Sequence, residues 1–478
     1  MHRDNLAVFF KSLMAFSFAL GVSACATANL QSRTPAIQMN PELVEGTNFT
    51  LSVTGLVPFE EVRVHGLRTM RKWARGANGQ WGEVDVNLHA WGAFVADGRG
   101  RVNLTTAKPT AGTWRTAGSE ALFWSGYPEG APDLIDAPSA VAAIPSSPLG
   151  SLTVAVTRGE TLIARDSVKV ITSPNVSTTA VREQGLVGVY ATPTGARKLP
   201  VIVLLHGSEG GKLDRAGTDA ARFAAQGYAV LAITYFSYPW ESIPGTPNAH
   251  VDIPVETVAK ARDWLSRQES ADVQRFGVYG VSKGAEFAAL AASIYPWIDA
   301  VVPCVGSDVV WEGYGIEPRP SPPPSSWSQA GQSLPALELI PYVEGDPRFA
   351  TNTQRYNQSR DSNTSAQIAA ARIPIEQSRA QFLFLGSDRD LVWASGQMSR
   401  ALNRALSMAG KARQSQLKVY PLAGHNICGS GLFPVRLYGQ QSSAAYSPDL
   451  TEEGEAAVDA WKLTKAFFAR SLRPNHRT

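Results

Sequence analysis

The chain has 478 residues, of which 44% are hydrophobic and 18% are charged, and its formal net charge at pH 7 is +3. This composition is ordinary for a globular protein, and the small positive charge shows no basic stripe of the kind that binds nucleic acid. Because 478 residues exceed one ordinary hydrophobic core, we expect two domains.

The N-terminus has the features of an export signal. Arg3 and Lys11 precede an apolar run over residues 13–22, which is too short to span a bilayer. The run ends in VSAC, which resembles a bacterial lipobox with Cys25 as the lipidated residue. We therefore predict that residues 1–25 are a signal peptide and that the exported protein is held at the membrane, facing the periplasm, by a lipid anchor. Simple cleavage, which leaves a soluble secreted protein, is the alternative.

Residues 30–172 are predicted to form an all-β, immunoglobulin-like sandwich domain. Apolar and polar residues alternate in runs such as TNFTLSVTGL, and turn sequences such as ADGRG and TRGET separate these runs. Such alternation is typical of short antiparallel strands. This half contains no cluster of nucleophile, acid and histidine, and its His65 and His89 lie in strand-like runs, where we expect a structural role.

Residues 173–478 are predicted to form an α/β domain. Six apolar strands, from LPVIVLLHG to LKVYPLAGH, alternate with amphipathic helical segments, which is typical of a mostly parallel sheet covered by helices on both faces. In DIPVETVAKARDWLSRQ, Asp252 is expected to cap a helix and Pro254 to occupy its first turn. A proline-rich insert near residues 312–345 interrupts the pattern and is expected to form a loop or lid.

The sequence GVYGVSKGAEF contains the pattern G-x-S-x-G, with Ser282 at its centre. A strand-like run precedes the pattern and an apolar helical run follows it, which is the context of a nucleophile elbow. The tight turn of such an elbow presents the serine at the sheet edge, and its glycines let strand and helix approach closely. We therefore predict an α/β-hydrolase domain with Ser282 as nucleophile, rather than a serine in a structural turn.

A serine nucleophile needs a base, which in this fold follows the acid along the chain. His425 comes after the last strand-like run and is the predicted base, whereas His250 is placed in a polar loop before a helix. The segment GSDRDLVWAS offers two acids after its strand, Asp390 and Asp388. Asp390 is the preferred acid because of its spacing to the next helix. Asp388 remains an alternative for this role, and Asp308 is a third candidate.

The loop LLHGSEGGK follows the first strong strand of this half and is the predicted source of an oxyanion hole. His206 is assigned to this loop. One backbone donor is expected at Ser208 or Glu209, and the other at Lys283, the residue after the nucleophile. These are main-chain roles, so the side chains of Glu209 and Lys283 need not take part in the chemistry.

Export also bears on the two remaining cysteines, Cys304 and Cys428. A pair of cysteines in an oxidising compartment can form a disulfide, and two buried free thiols are the alternative. The sequence leaves this choice open.

Several stretches together resemble the family of acyl-CoA thioesterases and bile acid-CoA:amino acid N-acyltransferases. They are GVYGVSKGAEF, LPVIVLLHGSEGG and IPIEQSRAQFLFLGSDRDLVW in the second half, and HAWGAFVADGRGRVNL and AGTWRTAGSEALFWS in the first. The resemblance implies Ser282 as nucleophile, Asp390 as acid and His425 as base. Acyltransferases of the family use cysteine as nucleophile and its hydrolases use serine, so Ser282 implies a hydrolase.

The resemblance implies a serine hydrolase that cleaves small-molecule acyl thioesters or carboxyl esters, without metal or cofactor. Transfer of the acyl group to an amine or alcohol is one alternative, and a noncatalytic lipoprotein scaffold is another. The family's thioesterases meet acyl-CoA inside the cell, whereas an exported protein does not. The sequence also shows no strong phosphate-binding glycine loop, so CoA itself is left open as the leaving group.

Overall fold

The computed structural model describes five stretches of the chain, which are residues 34–75, 80–131, 138–183, 185–437 and 446–472. The chain from Pro35 onward forms one compact unit. The predicted signal peptide, including Cys25, lies outside the described residues. Among the helices of the described residues, none is both long enough and apolar enough to cross a membrane.

The N-terminal region is built from two β-sheets. Its elements are β1 (Ala36–Met39), β2 (Glu42–Val44), β3 (Leu51–Thr54), β4 (Glu61–Arg75), β5 (Trp81–Val95), β6 (Val102–Asn103), β7 (Ala111–Gly112), α1 (Ala121–Trp124), β8 (Tyr127–Pro128), α2 (Ser139–Ala142), β9 (Ser151–Arg158) and β10 (Thr161–Ile171). One sheet has the order β1-β3-β6 and the other β2-β10-β9-β4-β5-β7, with β8 paired to β5. Val53 of the first sheet and Val64 and Phe94 of the second share one buried core, which confirms the predicted sandwich.

His65 and His89 lie inside this sandwich and are bonded to each other. The Nδ1 of His65 is 3.0 Å from the Nε2 of His89, and the Nε2 of His65 is 3.1 Å from the Thr157 hydroxyl. Both side chains are buried. The expected structural role of the two histidines is confirmed.

This buried pair makes the stability of the sandwich depend on pH. Burial, followed by the neighbouring His89 and Arg63 charges, lowers the pKa of His65 to about 3, and burial lowers the pKa of His89 to about 4. Both rings are therefore neutral in the folded protein, whereas the unfolded chain takes up protons below the ordinary histidine pKa of about 6.5. The stability that the neutral pair contributes is lost as the pH falls below that value. Between pH 8 and pH 5 we expect the free energy of unfolding to drop by roughly 2–4 kcal/mol more than in a His65→Gln/His89→Gln variant. Urea unfolding at both pH values measures this difference, and equal drops in the two proteins would contradict it.

The C-terminal region contains a larger sheet and a small one. The larger sheet is formed by β11 (Val176–Glu183), β12 (Leu186–Pro193), β13 (Leu199–Leu205), β14 (Ala229–Ile233), β16 (Ala271–Val281), β17 (Ala300–Cys304), β20 (Gln381–Ser387) and β21 (Ser415–Tyr420), and the small one by β15 (Ile253–Pro254), β18 (Trp327–Gln329) and β19 (Gln332–Ser333). The larger sheet has the order β11-β12-β14-β13-β16-β17-β20-β21. From β14 to β21 every neighbouring pair is parallel, whereas β12 is antiparallel to both of its neighbours. The six predicted strands all lie in this parallel part.

Helices cover both faces of the larger sheet. They are α3 (Leu213–Ala224), α4 (Glu256–Ser266), α5 (Lys283–Ile294), α8 (Ser395–Met408) and α9 (Leu450–Ser471), whereas α6 (Asn352–Ser362) and α7 (Ser365–Ala371) pack in a separate cluster with Trp311 and Trp393. Successive residues of β13 point to opposite faces, so Val203 packs in a core with α4, α5 and α8, while Ile202 packs in a second core with α3 and α9. This strand order, with helices on both sides, is the α/β-hydrolase fold, as predicted.

The predicted start of α4 is wrong. The helix begins at Glu256 and has no side-chain cap, and Pro254 belongs to strand β15 rather than to the first helical turn. Asp252 has a positive φ of 48° and accepts a hydrogen bond from the Ser333 hydroxyl at 2.5 Å. Pairing of β15 with β18 replaces the capping geometry that the local sequence favours.

The proline-rich insert contributes β18 and β19 to this small sheet. Its Trp327 is fully buried and stacks on Phe287 of α5 at a centroid distance of 4.4 Å. This part of the insert is therefore anchored in the core.

Candidate active site

Ser282 occupies the turn between β16 and α5. Its backbone has φ = 55° and ψ = −118°, a region that residues other than glycine rarely adopt. Its amide donates a hydrogen bond to the Cys304 carbonyl at 3.0 Å, so the sheet holds the serine up to the point where the chain turns into the helix. This strained conformation matches the predicted elbow.

Close approach of strand and helix explains the two glycines of the elbow. A Cβ at Gly280 would collide with the carbonyl of Gly284, and a Cβ at Gly284 would collide with the carbonyls of Leu205 and His206. Neither glycine has a positive φ, so the requirement is for space rather than for backbone freedom. The pattern G-x-S-x-G thus lets α5 start directly against β13 and β16.

Asp390 and His425 are in direct contact. The Nδ1 of His425 is 2.8 Å from Oδ2 of Asp390, and both side chains are buried. The same carboxylate accepts hydrogen bonds from the Ser395 hydroxyl at 2.6 Å and from the amides of Val392 and Trp393 at 2.9 and 3.2 Å. Four donors therefore hold one carboxylate, and when Nδ1–H donates to it, Nε2 is left as the proton acceptor of the imidazole.

The environment of His425 favours its protonated form. Burial, the largest single effect, pushes the pKa of His425 down, but the charge and hydrogen bond of Asp390 and the charges of Glu453 and Glu209 together outweigh it, so the net pKa lies above its ordinary value. Stabilisation of the imidazolium by a buried carboxylate is what a general base requires after it has accepted a proton.

The other two candidate acids have different partners. Asp388 forms an ion pair with Arg400, at 2.5 and 2.7 Å, on the partly exposed surface. Asp308 forms a similar pair with Arg360, at 2.7 and 2.8 Å. Of the three aspartates, the structure therefore brings only Asp390 into hydrogen-bonding contact with His425.

The predicted oxyanion loop lies against Ser282. A Cβ built on Gly207 would be 3.2 Å from the Cβ of Ser282. Within the part of the chain that the structure describes, the amides of Ser208, Glu209 and Lys283 donate no hydrogen bond to a protein acceptor. These amides are therefore free to bind an oxyanion, and their role stays a prediction.

A buried ion pair that the sequence patterns did not predict lies beneath the elbow. The Nζ of Lys283 donates to Oε1 of Glu286 at 2.7 Å, and this oxygen also accepts from Nε1 of Trp327 at 2.7 Å and from the amide of Trp311 at 3.2 Å. Burial raises the pKa of Glu286 and lowers that of Lys283, and each charge partly offsets the shift of the other. The i, i+3 spacing of Lys283 and Glu286 is a signal that could have revealed the pair.

His250 lies in the loop before α4, as predicted, but it is not exposed there. Its side chain is fully buried, with ring centroids of Phe236, Tyr314 and Trp327 at 4.8, 4.8 and 4.6 Å. A β-bridge between His250 and Tyr314 carries the proline-rich insert over this histidine, which explains its burial. His206 lies in the loop after β13 as predicted, with Nδ1 at 2.8 Å from the carbonyl of Gly207.

The two remaining cysteines are bonded to each other. The Sγ atoms of Cys304 and Cys428 are 2.05 Å apart, so the structure resolves the alternative that the sequence left open in favour of the disulfide. The cysteines are 124 residues apart in the chain.

Comparison with known proteins matches both halves of the chain to one family. The model described as BAAT / acyl-CoA thioester hydrolase C terminal matches residues 253–474, and the model of the acyl-CoA thioester hydrolase/BAAT N-terminal region matches residues 46–183. Acyl-coenzyme A thioesterase 2, mitochondrial, of Mus musculus is 24% identical over 442 residues, which are 88% of this chain and 86% of the relative. Acyl-coenzyme A amino acid N-acyltransferase 2 of Mus musculus is 24% identical over 308 residues, which are 63% of this chain and 66% of the relative.

Among solved structures, an esterase of Pyrobaculum calidifontis aligns with a TM-score of 0.37 and 16% identity, over 61% of this chain and 85% of the esterase. The two family models lie in the same order as the two regions of the structure, sandwich first and α/β-hydrolase fold second. Because these models together cover most of the chain, the protein belongs to the acyl-CoA thioester hydrolase/BAAT family.

Proposed function

We propose that this protein is a serine hydrolase that cleaves acyl thioesters or carboxyl esters through an acyl-enzyme on Ser282. The observation that carries the proposal is the buried Asp390–His425 pair at the sheet edge where the elbow lies. Ser282 follows β16, Asp390 follows β20 and His425 follows β21, and these strands are parallel. Their carboxyl ends therefore meet at one edge, which is where open α/β sheets bind their ligands.

In the proposed mechanism, the Oγ of Ser282 attacks the acyl carbon while Nε2 of His425 takes its proton. The negative charge moves to the acyl oxygen, which the amides of the oxyanion loop and of Lys283 bind. His425 then returns the proton to the departing thiolate or alkoxide as the bond to the leaving group breaks. Water repeats the sequence on the acyl-enzyme and releases the carboxylic acid. Asp390 stays ionised and holds the imidazole in one tautomer.

The family supports acyl thioesters as substrates. The first relative described above is named an acyl-CoA thioesterase, and the second an acyl-CoA amino acid N-acyltransferase. The two reactions share an acyl-enzyme and differ in whether water or an amine attacks it. A serine nucleophile favours hydrolysis because an oxyester is intercepted by an amine less readily than a thioester.

A noncatalytic scaffold has less support. A scaffold needs neither a strained serine nor a buried carboxylate with four donors that also holds a histidine. Such features cost stability and are typical of functional sites.

We propose further that the protein is exported and lipidated at Cys25. The disulfide between Cys304 and Cys428 supports export, because such bonds persist in oxidising compartments and are rare in the cytosol. An exported enzyme does not meet the cytosolic acyl-CoA pool, so other thioesters or carboxyl esters become the stronger candidates for its natural substrate.

The substrate class is tested with acyl-CoA and p-nitrophenyl esters of matched chain length, side by side, with and without glycine as an amine acceptor. We expect Ser282-dependent release of free fatty acid that glycine does not divert. Formation of N-acylglycine as the main product would support the transferase instead. No turnover of any acyl thioester or ester in this series would contradict the proposal.

A further inference from the structure

The disulfide connects the two parts of the candidate site that carry the nucleophile and the base. Cys304 is the last residue of β17, and its carbonyl accepts the hydrogen bond from the amide of Ser282 at 3.0 Å. Cys428 lies three residues after His425 in the chain. The covalent bond thus spans from the strand beside the elbow to the loop that holds the base.

Around His425 the loop makes few backbone hydrogen bonds to the rest of the protein, although the side chain of Ile427 is buried in the core. Residues 421–437 contain no helix or strand, and their described backbone bonds to the rest of the protein are scattered. Near the base they are the amide of His425 to the carbonyl of Tyr446 at 3.0 Å, that of Asn426 to Glu453 at 3.3 Å, and that of Gly429 to the Tyr279 hydroxyl at 3.0 Å. The first two partners belong to the segment around the start of α9, whereas the disulfide and Tyr279 tie the loop to the sheet.

We propose that the Cys304–Cys428 disulfide is a positioning element for His425, so that the full rate of hydrolysis requires the oxidised protein. The bond fixes the loop relative to β17, and through the Ser282–Cys304 hydrogen bond relative to the elbow. Reduction removes this restraint, and His425 then drifts from Ser282 and from Asp390. The inference rests on the proposed function, since it needs His425 as the base.

The two cysteines differ in access, which determines how reduction proceeds. Cys304 is fully buried, whereas Cys428 is partly exposed. A thiolate of a dithiol reductant therefore attacks Sγ of Cys428, and the S–S bond breaks with Cys304 as the leaving thiolate. The second thiol of the reductant then displaces Cys428, and the reductant leaves as a cyclic disulfide. Two electrons pass to the protein, and both cysteines end as thiols after they take up protons.

The expected effect is on chemistry rather than on binding. A displacement of about 1 Å in a catalytic group can cost about 100-fold in rate. We expect reduction to lower kcat about 10- to 100-fold and to leave KM within about twofold. As His425 leaves Asp390, its raised pKa also falls towards the ordinary value, so the acidic limb of the kcat profile moves to lower pH.

The test compares the full chain before and after treatment with a dithiol reductant, and with a Cys304→Ala/Cys428→Ser variant. Both the reduced protein and the variant are expected to show the loss in kcat and the shift of the acidic limb. The variant itself is expected to be indifferent to the reductant, and since it retains Cys25, it controls for effects at that residue. A Val154→Ala variant, in the sandwich core, serves as a matched control that lowers the melting temperature without moving kcat or the pH profile.

The outcomes separate this inference from the proposed function. If the oxidised wild type shows Ser282-dependent turnover and neither reduction nor substitution changes kcat, the function stands and the inference is wrong. A loss of activity that follows the melting temperature, as in Val154→Ala, with no shift of the acidic limb, likewise overturns the positioning role. If the oxidised wild type shows no Ser282-dependent turnover at all, the proposed function fails, and the inference fails with it.

Discussion

Replacement of Ser282 by alanine is expected to lower kcat/KM by about 10⁴-fold or more, for thioesters and oxyesters alike. The substitution removes the oxygen that forms the acyl bond, and the oxyanion loop alone supplies only a residual rate. Steady-state kinetics on the purified variant measures the loss. Because the fold already accommodates a small side chain at this strained position, we expect the melting temperature to change little.

Ser293→Ala is the matched control for this substitution. Ser293 lies in α5, the helix that follows Ser282, is buried, and donates its hydroxyl hydrogen to the carbonyl of Ala289 at 2.9 Å. Its replacement removes one buried hydroxyl from α5 without touching the elbow, so kcat/KM should stay within about threefold. Equal activities of Ser282→Ala and wild type would show that the serine is only part of a turn.

Substitution of the proposed acid, Asp390, is expected to cause the second large loss of activity. Asp390→Asn should lower kcat about 10³- to 10⁴-fold, because the amide does not stabilise the imidazolium and favours the wrong tautomer of His425. Asp388→Asn should change kcat less than about threefold, because Asp388 pairs with Arg400, whereas the hydrogen bond to His425 comes from Asp390. Kinetics of the two variants at several pH values distinguishes the two acids.

The pH dependence of kcat tests the choice between the two acids independently of the size of the rate loss. Asp390 raises the pKa of His425 against the effect of burial, so its neutralisation should move the acidic limb to lower pH. The reverse result, with Asp388→Asn inactive and Asp390→Asn close to wild type, would reassign the acid and refute the proposed arrangement.

Local sequence patterns predicted the parts of the fold that depend on local forces. Short apolar runs flanked by turns located all six predicted strands of the larger sheet, and the strand–glycine–serine–glycine–helix context located the elbow. These elements follow from hydrophobic burial and from backbone sterics, which a single sequence displays directly.

The parts that the sequence did not reveal depend on tertiary contacts. The prediction that α4 starts near Asp252 is wrong because pairing of β15 with β18 overrides the local capping preference. The burial of His250 was not foreseen because the insert that covers it comes some 60 residues later in the chain, a separation at which no local pattern operates.

The choice of the acid and the pairing of the cysteines, which the sequence left open, also depend on tertiary contacts. Asp388 and Asp390 differ by two positions, and only the three-dimensional path of the loop decides which carboxylate faces His425 and which faces Arg400. The pairing of Cys304 with Cys428 requires a strand end and a distant loop to meet, which spacing alone does not show.

The most direct test of the central claim is to locate the site of covalent modification by an alkyl fluorophosphonate. Such reagents phosphonylate a serine only where a neighbouring base activates it. Peptide mapping by mass spectrometry after labelling should find a single adduct, on the peptide that contains Ser282, and Asp390→Asn should label far more slowly than Asp388→Asn. An adduct on another residue, or rapid ester turnover by a protein that takes up no label, would contradict the account.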